Sequence, residues 1–400
     1  MSAGSKNGDH RAARTAVAAA VGCGGLAALR FARPATTPRI RARGHPGRDG
    51  IAVLEKVRIG GSDQWVLERS EDTGNPVVLF LHGGPGTSQL TSNRRDTRDL
   101  ERFFTVVNWD QRGAGKSYAA IGDPDRMNIA QFVADTRELT LYLLKKFRQH
   151  RLVLVGHSWG TVVGALAVSR YPGLYSCYVG IGQVGNMAEG EAESYRWTLA
   201  QARKRGNRRA IETLVAMGPP PYRGDWQKKT IKQRSYLARF GGEAYRNQFG
   251  AAGRVVSGLL FSPEYTLADR LNVVRGIGGS MRLLWPELLH IDLFESVPEI
   301  KVPVFLMEGR HDHESPSEIA ERYFSALRAP AKDLIWFDRS AHLPNAEERD
   351  LFNKIMVAKV LPIALSFGPA GGQAATAPGE WAPCPRPRLR RSGPSGSRSP

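Results

Sequence analysis

Ser158 sits at the centre of Gly156-His157-Ser158-Trp159-Gly160, a GxSxG pentapeptide, and residues able to cooperate with it follow downstream. A serine hydroxyl is a poor nucleophile near neutral pH, so it needs an imidazole base and a carboxylate that orients the imidazole. His342, in Arg339-Ser340-Ala341-His342, is the only histidine after the apolar run Leu334 to Phe337 and is the expected base. Asp312, in Glu308-Gly309-Arg310-His311-Asp312-His313, is the expected acid, with Glu308 and Glu314 as alternatives. The run His311 to Glu314 also has the residue types of a metal site. Adjacent residues point in different directions, however, and a metal needs converging ligands, so no metal is expected. The oxyanion formed when serine attacks a carbonyl needs two backbone N–H donors. Trp159, directly after the serine, offers one. The other is expected from His82-Gly83-Gly84-Pro85-Gly86, where glycines let backbone come close to a substrate.

These residues need elements that bring them together. Leu152 to Val155 is a short β-branched apolar run suited to a central parallel strand, and Trp159 to Val168 resumes with small residues at helical spacing. The serine between them therefore occupies a sharp strand-to-helix corner that pushes its oxygen outward. Further strands are expected at Val77 to Leu81, Phe104 to Trp109, Cys177 to Ile181, Val302 to Met307 and Leu334 to Phe337, after an edge hairpin from Val53 to Arg69 turning at Gly60-Gly61. Asn128 is the expected N-cap of a long amphipathic helix ending near Gln149. This alternation predicts a mostly parallel sheet covered on both faces. It breaks between Gly182 and Val297, where helices are expected at Glu189 to Arg205, Asn207 to Met217, Asp225 to Phe240 and Ser280 to His290. An insertion there would lie over the carboxyl ends of the strands as a cap. Its basic runs, Arg203 to Arg209 and Lys228 to Arg234, read as solvated helix faces.

The 400 residues carry a net charge of +18, unevenly placed. Residues 1–50 hold nine Lys/Arg against two Asp/Glu and residues 366–400 five against one, leaving about +7 for the body. The body has no motif for nucleic acid, and no nucleic-acid partner is expected. Cys23, Cys177 and Cys384 lie too far apart for a disulfide framework or zinc pattern, and Cys177 reads as a buried structural thiol. The apolar run Thr15 to Leu29 between arginines is short for a membrane span. It is read as part of a disordered leader, with an export signal or lipid anchor near Ala20-Val21-Gly22-Cys23 as alternatives. A cytoplasmic location is expected, with weak membrane association through this segment as the alternative. From Gly368 the chain reads as a disordered tail rich in Pro, Arg, Ser and Gly.

Taken together, HGGPG at His82, WDQRGAGKS at Trp109 to Ser117, GHSWG, GRHD and SAH resemble the motif series of the proline iminopeptidase family, the serine aminopeptidase branch of the α/β hydrolases. The resemblance covers about Ile51 to Leu365. It implies an α/β-hydrolase fold with a mostly parallel eight-stranded sheet, helices on both faces and an inserted helical cap. Residues 51–184 and 298–365 would form the core and 185–297 the cap, between a leader at 1–50 and a tail at 366–400. It also implies a Ser158, Asp312, His342 triad, an oxyanion hole of Gly84 and Trp159, no cofactor, and a supporting role for Asp110, Gln111 and Arg112. Members bind the free amine of a substrate with cap carboxylates, because an ammonium in a partly dry pocket needs opposite charge. Glu189 and Glu193, sharing one helix face, are the candidates here. The expected substrate is a small peptide, amide or ester, and the expected activity is removal of an N-terminal residue through an acyl-enzyme. Carboxylesterase or amidase is the alternative, and a non-catalytic interaction protein a more distant one. Epoxide hydrolases and haloalkane dehalogenases carry an aspartate at the elbow, where this chain has serine.

Overall fold

The structure, a computed structural model, describes residues 35–40, 50–245, 259 and 261–367. The run Thr15 to Leu29 and the stretch from Gly368 fall outside them. Eight strands form one sheet in the order β1-β2-β4-β3-β5-β6-β7-β8. They are β1 Ile51–Ile59, β2 Ser62–Ser70, β3 Val77–Leu81, β4 Thr105–Asp110, β5 Leu152–His157, β6 Tyr175–Ile181, β7 Val304–Gly309 and β8 Lys332–Phe337. Only β2 runs antiparallel to the rest, pairing in that sense with β1 across the turn at Gly60 and Gly61 and with β4 on its other side. β3 pairs in parallel with β4 on one side and β5 on the other, so Val78 lies beside both Val106 and Val153.

Both faces of the central strands are apolar, and both are covered. A short helix, α1 (Leu90–Asp96), follows β3. Val77, Leu79 and Leu81 turn to the face packed by α2 (Ile129–Phe147) and α3 (Trp159–Arg170), whereas Val78 and Phe80 turn to the face packed by Phe352, Met356 and Val360. Each such side chain, fully buried, contributes roughly 1.5–3 kcal/mol. That is why these strands read as continuous apolar runs instead of alternating ones. Asn128 caps α2 by accepting from the Gln131 N–H at 2.9 Å, as its sequence position suggested.

Between β6 and β7 the chain forms α4 (Met187–Lys204), α5 (Arg208–Met217), α6 (Trp226–Phe240) and α7 (Leu267–Leu288). α7 starts thirteen residues before the expected Ser280. Its start carries a capping box, Thr266 with Asp269, and its glycines do not break it. Gly276 allows a close approach instead: a Cβ there would lie 2.5 Å from the Gly113 carbonyl oxygen, and one on Gly86 would lie 2.4 Å from the Gly276 carbonyl oxygen. The cap helix thus sits directly on the loops after β3 and β4. Asp110 fastens the same junction, accepting from Ser88 Oγ, from Tyr265 Oη at 2.6 Å and from the Lys116 N–H at 2.8 Å. Burial pushes its carboxyl up to about 6 against those donors.

The body also begins earlier than residue 51. Thr36 donates its N–H to the Pro263 carbonyl at 2.9 Å, and Arg69 donates to Thr37 Oγ1 at 2.6 Å and the Pro38 carbonyl at 2.7 Å. Arg69 is buried and paired with Glu101, so residues 35–40 form a strap tied to the core and to the segment leading into α7. At the other end the last helix runs through Ser366, one residue past the expected limit.

Arg112 shows how the WDQRG stretch supports the sheet. Fully buried, it donates to both carboxylate oxygens of Asp135, to Ser62 Oγ and to the carbonyls of Gly60 and Ala120. Breaking a buried ion pair by removing one partner costs about 3–5 kcal/mol. Arg112→Met should therefore lower unfolding stability by about that amount in urea titrations. Arg112→Lys should recover only part, since one ammonium cannot serve five acceptors. A loss for Arg112→Met smaller than about 1 kcal/mol would contradict this reading.

Candidate active site

The corner between β5 and α3 places Ser158 in a backbone conformation that side chains rarely adopt, with φ 53° and ψ −119°. Its neighbours leave no alternative. A Cβ on Gly156 would lie 2.4 Å from the Gly160 carbonyl oxygen, and one on Gly160 would lie 2.3 Å from that of Leu81. The Ser158 N–H donates to the Ile181 carbonyl at 2.9 Å, pinning the corner to the end of β6. Its side chain faces a cavity of about 420 Å³ that His342 also lines.

His342 stands on the loop after β8 and Asp312 on the loop after β7. His342 Nδ1 donates to Asp312 Oδ2 at 2.8 Å, and both residues are buried. The other Asp312 oxygen accepts from the N–H groups of Glu314 and Ser315 at 2.9 and 3.0 Å, which fixes the carboxylate. Burial disfavours the imidazolium, but the carboxylates of Asp312, Glu314 and Glu243 outweigh it and hold His342 above its ordinary value. The alternative acids fall elsewhere. Glu308 accepts from the Gln183 N–H at 2.9 Å, not from His342, and burial pushes its carboxyl well up; Glu314 lines the cavity.

Gly83, Gly84 and Trp159 line the same cavity. The Gly83 N–H is occupied by Gln89 Oε1 at 3.1 Å, whereas those of Gly84 and Trp159 meet no acceptor among the described residues. Gln111 holds both sides of this gap. It accepts from Trp159 Nε1 at 3.1 Å, donates Nε2–H to the His82 carbonyl at 3.1 Å, and donates its backbone N–H to His82 Nε2 at 3.1 Å. His82 Nδ1–H in turn donates to the Gly83 carbonyl at 2.7 Å. His157 makes a second relay, accepting from Gln89 Nε2 at 3.0 Å and donating Nε2–H to the His342 carbonyl at 2.9 Å. Burial and the nearby His342 push His157 down to about 3, which keeps the neutral ring that this relay requires. The sequence placed His157 and Gln111 in motifs without revealing these tasks.

The two cap carboxylates expected from sequence stand outside the cavity. Glu189 pairs with Arg322 at 2.5 Å on the surface and Glu193 with Arg196 at 2.7 Å. In α4 they share one face, as expected, and that face turns outward. Glu191, roughly half a turn around, is buried, lines the cavity and pairs with Arg234. Glu314 and Glu243 complete an acidic group there. Glu243 is held at the base itself: its carbonyl accepts the His342 N–H at 3.0 Å, and the preceding Gly242 carbonyl accepts that of His313 at 3.0 Å. Its carboxylate has no hydrogen-bonded cation among the described residues, and burial followed by Glu314 pushes it up to about 7. One signal was readable: Glu243 is the only acidic residue between Trp226 and Arg246.

Residues 76–348 match the family described by its α/β-hydrolase fold. The chain is 35% identical over 309 residues to the "Probable aminopeptidase YbaC" of Bacillus subtilis, covering 77% of this chain and 96% of that protein. It is 24% identical over 298 residues to the "Proline iminopeptidase" of Heyndrickxia coagulans, covering 70% and 88%. Among solved structures, a proline iminopeptidase-related protein from Thermus thermophilus superposes with a TM-score of 0.55 at 18% identity, covering 78% of this chain and 99% of its own. VinJ superposes with 0.56 at 20% identity, covering 79% and 99%. At those identities the structures speak for the fold.

Asp312→Asn would present an amide where His342 needs an acceptor, and hydrolysis should fall roughly 10⁴-fold in kcat. A histidine must be neutral to take a proton, and the folded pKa of His342 is raised, so the acid limb of kcat/KM for any hydrolysis that uses His342 as base should lie above the ordinary histidine range. Glu314→Gln, removing one of the charges responsible, should move that limb to lower pH. A limb unchanged in Glu314→Gln would contradict the electrostatic account.

Proposed function

The chain belongs to the α/β-hydrolase-fold family of enzymes, with similarity to its aminopeptidases and proline iminopeptidases, and we propose that it is a serine aminopeptidase releasing an N-terminal residue from small peptides or amides. Ser158 Oγ attacks the scissile carbonyl carbon while His342 Nε2 takes its proton. The N–H groups of Gly84 and Trp159 hold the oxyanion. The tetrahedral adduct collapses by breaking the C–N bond, His342 returns the proton to the leaving amine, and the released residue remains as an ester on Ser158. Water then attacks, again giving its proton to His342, and collapse frees Ser158 and the product carboxylate.

The observation that carries the peptidase reading is Glu243. A carboxylate fixed beside the base, with no hydrogen-bonded cation among the described residues, is the counter-ion that a substrate ammonium would find. Glu191 is already neutralised by Arg234. An ammonium at Glu243 and Glu314 would also weaken the field that keeps His342 protonated, so a substrate with a free amine would help to release its own base. The cavity walls of Val184, Met281, Trp285, Leu288 and Ile319 suit a small apolar side chain, and they support carboxylesterase as the second reading.

Hydrolysis of proline-, alanine- and leucine-arylamides beside N-acetylated amides and short acyl esters separates the two. Charge-assisted hydrogen bonds contribute about 1.5–3 kcal/mol, so Glu243→Gln should raise KM for free-amine substrates about 10- to 100-fold and leave ester KM within about twofold. Glu189→Gln and Glu193→Gln should change neither. Glu243 must be ionised, above about 7, and the substrate amine protonated, below roughly 8. KM for the arylamides should therefore be lowest between those limits. Turnover of esters alone, or equal effects of Glu243→Gln on both substrate types, would remove the peptidase reading.

A further inference from the structure

The outer face of the cap carries a pattern that the reaction does not need. On α7 Leu267, Leu271 and Val274, spaced i, i+4 and i+7, are 52, 54 and 68% exposed, and Phe261 just ahead of the helix is 67% exposed. Ile231 of α6 is 54% exposed, and Gln227 Nε2 donates to the Gly278 carbonyl at 2.9 Å, joining the two helices into one surface. Exposed apolar side chains scattered singly are ordinary, whereas a continuous row marks an interaction surface.

Charge narrows the partner. α6 holds five Lys/Arg and no Asp/Glu. Arg234 turns inward to Glu191, while Lys228, Lys232 and Arg239 are exposed, and α7 adds exposed Arg275 and Arg282. The acids nearby are already engaged: Asp225 pairs with Lys228, Asp269 with Lys116, and Glu287 accepts the Ile129 N–H. Along the α7 row Ala268 stands between Leu267 and Leu271 and Gly278 follows Val274, so the strip itself is apolar. An apolar row rimmed by cations is the chemistry that an anionic bilayer surface rewards.

The opening of the catalytic cavity shares this face. Ile231 and Ile277 line the cavity, yet they are 54 and 36% exposed. We propose that the α6–α7 face docks on anionic lipid, with the apolar row at the acyl boundary and the Lys/Arg rim on the headgroups. The mouth of the cavity then lies against the bilayer, where substrates with an apolar body concentrate. This surface stands independently of the peptidase reading.

Sedimentation of the full-length protein with vesicles of phosphatidylcholine, with and without phosphatidylserine, tests it. Wild type should bind the phosphatidylserine vesicles and lose binding as salt rises. Leu271→Glu combined with Val274→Glu, two positions outside the cavity lining, should weaken binding about tenfold or more with unchanged thermal melting. Lys232→Glu with Arg275→Glu should weaken it as well. Failure of wild type to bind overturns the proposal, as does equal binding by the Leu271→Glu, Val274→Glu variant, which would place the attraction elsewhere on the chain. A wild-type dimer that the same variant converts to monomer, with no lipid binding, would assign the row to a second copy and overturn it too.

Discussion

A serine held at positive φ is unfavourable by roughly 1–3 kcal/mol, and it persists only where the surroundings permit no other path. At Ser158 the surroundings are the carboxyl ends of three strands. Gly156 and Gly160 bring α3 against the end of β3, and the Ser158 N–H is taken by β6. The position of Ser158 is thus set by the sheet, whose apolar faces are packed by helices on both sides. The loops after β3, β7 and β8 converge on that corner because their strands run parallel to β5 in the same sheet.

Hydrogen-bond relays turn convergence into alignment. Gln111 holds the Trp159 ring and the loop of Gly83 and Gly84 in one network, so both candidate oxyanion donors are positioned by a single side chain. His157 connects Gln89, and through it Gly83, to the backbone of His342. The cap joins the same system by way of Gly242 and Glu243, whose carbonyls bind the N–H groups of His313 and His342. In the proposed reaction, amine binding at the cap and charge on His342 are therefore not separable: the carboxylates that could receive an ammonium also hold the imidazole above its ordinary value.

Much of this was readable from residue types because the chemistry admits few substitutes. The elbow, the histidine after β8 and the glycine loop stood out, and the strands were visible as apolar runs with ends shifted by at most two residues. What escaped notice depends on which way a helix turns or on what touches a glycine. Glu189, Glu191 and Glu193 are equivalent in a polar helix until its buried face is known, and only Glu191 faces inward. The helix expected from Ser280 begins at Leu267 instead, and within it Gly276 lets α7 rest on Gly86 and Gly113. The strap at residues 35–40 carries no local signal, since its partners, Arg69 and Pro263, lie far along the chain.

The central claim is that this scaffold makes one serine nucleophilic. Reaction of the full-length protein with a fluorophosphonate, followed by tandem mass spectrometry of its peptides, tests it directly. A single phosphonyl adduct on Ser158, lost when His342 is replaced by glutamine, is the predicted result. An unmodified protein, or an adduct on another residue with Ser158 left free, would contradict the account.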